Sequence, residues 1–122
     1  MMINEKLLIP FINQCTEIED YQISTTGHIR FKNGFQIAWT EKSCNLSMSA
    51  WGQVFYADIT NMPNWSKPFT QVYQQYATAG LEQYWLANGD GGNTKPGTIR
   101  VLRPTGGTYT QWIKVFAIGR WK

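Results

Sequence analysis

Few residues in this chain of 122 could carry out covalent chemistry, and their spacing limits what that chemistry could be. The single histidine, His28, is the one imidazole open to a Ser-His-Asp or Cys-His relay. It stands in "GHIRFKNGFQIAW" on the same alternate positions as Arg30 and Lys32, which read as the polar side of a strand, so it is expected to face solvent. Glycoside hydrolysis needs two carboxylates flanking the bond. Beyond residue 26 the chain offers Glu41, Asp58, Glu82 and Asp90. Of these, Asp58 follows Tyr56 on a strand and is placed to line a groove, with no partner evident. No catalytic residue is assigned, and the chain is expected to bind rather than to catalyse. Cys15 and Cys44 lie 29 positions apart with no CxxC spacing, so zinc is not expected. Two free thiols fit better than one lone disulfide. The loop "NGDGGN" sets Asn88, Asp90 and Asn93 among glycines. It lacks the carboxylate spacing and closing Glu of a calcium loop and reads as a turn, leaving no metal or cofactor expected.

Binding chemistry is better supplied, by six Trp, six Tyr and six Phe. Sugars pack their C–H faces on aromatic rings, and their hydroxyls want amides and carboxylates at the edge. Three places combine the two. Trp65 lies in "NMPNWSKP" with Asn61 and Asn64; Tyr84 precedes Asn88, Asp90 and Asn93; Tyr109 follows the "TGG" turn. Trp85 shares parity with Leu81 and Ala87 and reads as core, which turns Tyr84 outward. Trp65, between Pro63 and Pro68, has no strand parity to bury it. Arg100, Arg103, Lys114 and Arg120 interleave with aromatics and would suit the phosphates of single-stranded nucleic acid on a small barrel, or of an anionic wall polymer. The net charge of +3, from 11 Lys+Arg against 8 Asp+Glu without any run, reads as a solvated surface.

The elements that must position these residues read as strands. Residues 1–26 hold four of the eight acids and no glycine, and form an expected arm or linker that Pro10 keeps from being one long helix. "LLIPFI" is too short to span a bilayer and lacks a cleavage site. Met1-Met2 reads as an added start on a piece of a longer chain. From Gly27 the pattern is strand and turn. Ile29 and Phe31 alternate with charges, Asn33-Gly34 supplies a tight turn, and Phe35, Ile37 and Trp39 resume the alternation. "WGQVFYADIT", "FTQVYQQYA", "LEQYWLA", "TIRVLRP" and "TQWIKVFAIGRWK" follow. The expected fold of residues 27–122 is all-β, an antiparallel β-sandwich of about six to seven strands. The last of these is apolar on both parities: Trp112, Phe116 and Ile118 on one, Ile113, Val115, Ala117 and Trp121 on the other. An apolar face left bare would invite aggregation, so something must cover each.

The hairpin "GHIRFKNGFQIAW" and the ending "VFAIGRWK", with "WGQVFYADITNMPNWSKPF" between them, resemble the carboxy-terminal receptor-binding domains of bacteriophage tail fibres. The resemblance covers residues 27–122. It implies a small sandwich shaped like the H-type lectins, trimeric about the fibre axis, on a virion tail. The implied partner is a bacterial surface glycan or a teichoic-acid-like polymer, bound without cleavage or membrane insertion. A trimer would give the last strand its second cover, and Ile113, Val115 and Trp121 are the residues expected between copies. The alternative is a small barrel binding single-stranded nucleic acid.

Overall fold

A computed structural model describes residues 17–80, 84–89 and 91–122. The described residues form eight strands: β1 (Ile18–Gln22), β2 (Gly27–Phe31), β3 (Phe35–Trp51), β4 (Val54–Ile59), β5 (Gln71–Ala79), β6 (Trp85–Asn88), β7 (Ile99–Arg103) and β8 (Gly107–Arg120). All pair antiparallel. Sheet A runs β1-β2-β3-β8-β5; sheet B runs β4-β7-β6 and begins on the last three residues of β3. The all-β, sandwich-like fold agrees with the sequence reading. The strands number eight rather than six or seven, because residues 18–22 of the expected arm pair with β2 through Tyr21↔Ile29 and Gln22↔His28.

The β2–β3 turn forms as its residues require. Gly34 takes a φ of +100°, a conformation that costs a residue with a Cβ. The Asn33 side-chain oxygen accepts the Phe35 amide at 3.0 Å, and the Gly34 amide donates to the Phe31 carbonyl. Strand β3 then continues for 17 residues, well past Trp39. One of its edges pairs with β8 from Phe35↔Arg120 to Met48↔Gly107. The other pairs with β2 over residues 36–39 and with β4 over 49–51, so residues 40–48 pair with neither on that side. β2 and β4 therefore part company along β3, and a wedge opens where they do.

Between the layers lie Ala38, Leu46, Ile59, Ile99, Val101, Ile113, Val115 and Ala117, with Met62, Trp65 and Phe69 from the β4–β5 connection. Two buried amides on sheet A are satisfied. Gln36 donates to the Lys67 carbonyl at 2.9 Å, and Gln75 accepts the Gly97 amide at 2.8 Å. Each ties a strand to a loop, and unmade each would cost about 1–3 kcal/mol.

Candidate functional site

The loops expected to hold a sugar close the end of the sandwich instead. The Trp65 amide donates to the Thr94 carbonyl and the Phe69 amide to the Asn93 carbonyl, so residues 61–69 and 91–97 zip together. Trp65 is only 4% exposed. Its indole N–H donates to the Gly92 carbonyl at 2.9 Å and its ring meets Phe69 edge-on, leaving no ring face for a ligand. Asn61 and Asn64 are exposed beside it. Asn93 is exposed, yet its amide is occupied, accepting from the Val72 amide and donating to the Thr70 carbonyl. Asn88 ends β6 at the surface, and Asp90 lies outside the described residues.

Tyr84 and Trp85 take the opposite sides from those expected. Tyr84 is buried and Trp85 is 53% exposed. The Arg103 guanidinium, itself buried, lies 4.6 Å from the Tyr84 ring and 3.7 Å from that of half-buried Tyr109. It donates to the Tyr84 hydroxyl at 3.0 Å, while the Tyr109 hydroxyl donates to the Gly106 carbonyl. Both rings thus face an internal cation, and both hydroxyls are engaged within the chain.

His28 is not solvent-facing; it is 3% exposed. Its Nε2 lies 2.8 Å from Asp20 Oδ1 and its Nδ1 2.6 Å from Ser66 Oγ. A carboxylate only accepts, so Nε2 donates to Asp20, and Nδ1 and the Ser66 hydroxyl share the second bond. The three residue types are those of a nucleophile relay, with the ring reversed relative to the usual one. The neighbours explain the arrangement: Arg30 donates to the Pro68 carbonyl at 2.7 Å and Gln36 to that of Lys67. Side chains from β2 and β3 thus grip residues 66–68 one after another, and His28 fastens β1 and this loop to the sheet.

The last strand's faces are also reversed. Ile113 and Val115, expected between copies, point into the chain's own core, Val115 being 2% exposed. Trp121 is half-buried; its indole donates to the Phe31 carbonyl, and Arg30 lies 5.0 Å over its ring. The uncovered face of β8 carries Trp112 and Phe116 instead, with Tyr76 of β5 stacked on Phe116 at 5.0 Å between centroids. A trough of about 290 Å³ runs beside Phe116, lined by Trp39, Glu41, Thr78 and Lys114 among others.

The outer face of sheet B was not anticipated as a site. The register puts Tyr56, Leu102 and Trp85 in one row across β4, β7 and β6, with Asp58 opposite Arg100 in an adjacent row. Arg100 grips Asp58 through two bonds, of 2.7 and 2.9 Å. Its guanidinium lies 4.5 Å over Tyr56 and 5.0 Å over Trp51, whose rings meet edge to face. The Arg100 hydrogen bonds hold the Asp58 carboxyl below its ordinary range. Asp58 also lines the wedge, a crevice of about 360 Å³ whose other walls include Lys42, Ser43, Asn45 and Asn61. Alternation in "FYAD" and "IRVLR" placed Tyr56 with Asp58 and Arg100 with Leu102; nothing local showed that the two pairs meet.

The basic residues weighed for nucleic acid do not form one track. Arg100 is on the outer face of sheet B, Arg103 is internal, and Lys114 and Arg120 are on the outer face of sheet A. Among the described residues, no three His, Cys, Asp or Glu gather as metal ligands, and no helix is long and apolar enough to cross a membrane. Cys44 is a free, buried thiol whose pKa burial pushes up; Cys15 lies outside the described residues.

No protein-family model and no curated protein matches the sequence. Solved structures do match. An R1 pyocin fibre of P. aeruginosa, comprising C-terminal residues 323–701, superposes with a TM-score of 0.61 at 15% identity. The match covers 82% of this chain and 27% of that one. An N-truncated R1-type pyocin tail fibre superposes with a TM-score of 0.64 at 13% identity, over 97% of this chain and 98% of the other. Likeness at this identity is likeness of fold, and in fold this chain is similar to the carboxy-terminal region of pyocin tail fibres.

Proposed function

We propose that the chain is a receptor-binding domain of a phage-type tail fibre, which adsorbs to a bacterial surface glycan or wall polymer without cleaving it and works as a homotrimer on a virion tail. The observation that carries this reading is the end-to-end likeness to a tail fibre, over 97% of this chain and 98% of that structure. The outer face of sheet A supports the trimer. Trp112, Phe116 and Tyr76 are large, apolar and exposed, and the trough beside Phe116 offers a seat for a side chain from a neighbouring copy. The interface residues are then on the parity opposite to Ile113 and Val115.

The purified chain, incubated with a panel of bacterial strains, is expected to be depleted from solution by some strains and not others, and to release no new reducing ends. Depletion by none would remove adsorption from the reading, and new reducing ends would make the chain an enzyme. Sedimentation equilibrium is expected to give three times the 14.0 kDa chain mass; a monomer mass at micromolar concentration would remove the trimer.

A further inference from the structure

We infer that the outer face of sheet B, together with the wedge between β3 and β4, is a binding site for an uncharged polysaccharide. This rests on the adsorption reading and assigns it a place. Three independent features converge. The first is ring surface. Trp51 and Trp85 are each 53% exposed, and Tyr56 stands between them in the register. The row Tyr56–Leu102–Trp85 spans two strand spacings, about 10 Å, so the face suits a chain of sugars rather than a single ring.

The second is charge. Arg100 is the one cation that β4, β6 and β7 place on this face, and Asp58 already neutralises it through two bonds. Asp58 is likewise the one anion that these strands place there among the described residues. On the platform a phosphate or carboxylate would meet a guanidinium already paired and a carboxylate that repels it, and in the wedge Lys42 already donates to the Asn61 carbonyl at 3.1 Å. A neutral sugar meets none of these obstacles. The clamp also positions the rings, because the guanidinium lies over both Tyr56 and Trp51.

The third is the polar edge beside the rings. Asp58 lines the wedge with Ser43, Asn45 and Asn61. Along the same wedge β3 carries residues 40–48 on an edge that neither β2 nor β4 pairs. Carboxylate and amide oxygens with main-chain N–H and C=O groups form the set that sugar hydroxyls require. Rings for the C–H faces and a polar trench for the hydroxyls thus lie side by side, sharing Asp58.

The test uses an array of purified bacterial surface polysaccharides, neutral and acidic, probed with the wild-type chain and with Trp51→Ala, Trp85→Ala and Tyr73→Ala. Tyr73 is an exposed ring on β5, off the platform. Wild type is expected to bind neutral polysaccharides. Trp51→Ala and Trp85→Ala are expected to lose about tenfold in affinity each, by analogy with bases stacked on aromatics. Tyr73→Ala is expected to bind as wild type, and melting curves to match for all four. Neutral binding unchanged in both tryptophan variants would overturn the site and leave adsorption standing. Wild-type binding confined to acidic polysaccharides would overturn the ligand class. Binding to nothing on the array would overturn site and adsorption together. A changed sedimentation mass in Trp51→Ala or Trp85→Ala would make this face a contact between copies and overturn the proposal.

Discussion

Both outward faces of the sandwich carry exposed aromatic rings, but the rings are held differently. On sheet A, Tyr76 and Phe116 stack on each other at 5.0 Å and 23°, so each gives up a ring face to its neighbour and the pair offers apolar bulk. On sheet B, Trp51 and Tyr56 meet at 72°, with a paired guanidinium over both. Self-stacked rings suit a surface to be covered by protein. Splayed rings around a neutralised charge suit a surface that meets a polar ligand and is otherwise wet. An inventory of aromatic residues by itself separates neither use.

The largest effect is expected from a residue that supports both faces from beneath. Trp65→Ala should cost about 3–5 kcal/mol of stability, since it empties a buried site and orphans the Gly92 carbonyl. Thermal melts check this. A variant as stable as wild type would put Trp65 back at the surface and reopen the end loops as a site. Next is Phe116→Lys, set against Trp85→Lys. A desolvated charge between copies costs several kcal/mol, so Phe116→Lys should lower the sedimenting mass to that of one chain while Trp85→Lys leaves it alone. The reverse result would exchange the roles of the faces.

His28→Ala comes third, at about 1–3 kcal/mol, because it strands Ser66 and Asp20 and releases residues 66–68 from sheet A. Chemical denaturation with faster proteolysis near Lys67 would register it; unchanged cleavage would mean that Arg30 and Gln36 hold the loop unaided. The smallest effect belongs to the clamp. Arg100 depresses the Asp58 pKa, so the clamp is fully formed above the ordinary aspartate value of about 3.9 and is lost only as pH falls through the lower folded value. Binding to a neutral polysaccharide should therefore be level from neutral pH to about pH 4 and weaken below it. Asp58→Asn should instead free Arg100 and raise binding to acidic polysaccharides at neutral pH. Indifference to both changes would mean that the clamp does not shape the platform.

The β2–β3 hairpin was legible because two local signals coincide: alternation from Ile29 to Trp39 and an Asn-Gly turn whose geometry Gly34 meets at positive φ. The length of β3 was not. Its inward row includes Gln36, Thr40 and Lys42, which break the apolar pattern although the Gln36 amide finds the Lys67 carbonyl. Tyr84 and Trp85 show how little separates two assignments, since a shift of one residue exchanges the faces of a strand. On β8 both parities are apolar, so alternation had no contrast to read. Trp65 sits where no period exists, and its burial depends on residues 92–94 reaching across to it. Asp58 was visible as a groove-lining carboxylate, but its partner lies 42 positions away, and only the β4–β7 register brings them together.

The long β3 has a consequence in time. It is made before its principal partner β8, which begins at Gly107, so 55 residues intervene before pairing can start and 68 before Arg120, where the register is complete. At the usual 5–20 residues per second, β3 waits roughly 3–14 s with that edge bare. Sheet A has an interior strand supplied last: β1, β2 and β3 can form a meander from local contacts, whereas β5 has no partner in this sheet until β8 lies between it and β3. Closing a sheet by a late interior strand postpones its cooperativity to the final step and makes that step slow. For those seconds the nascent chain offers the template that neighbouring copies on the same message would pair with wrongly.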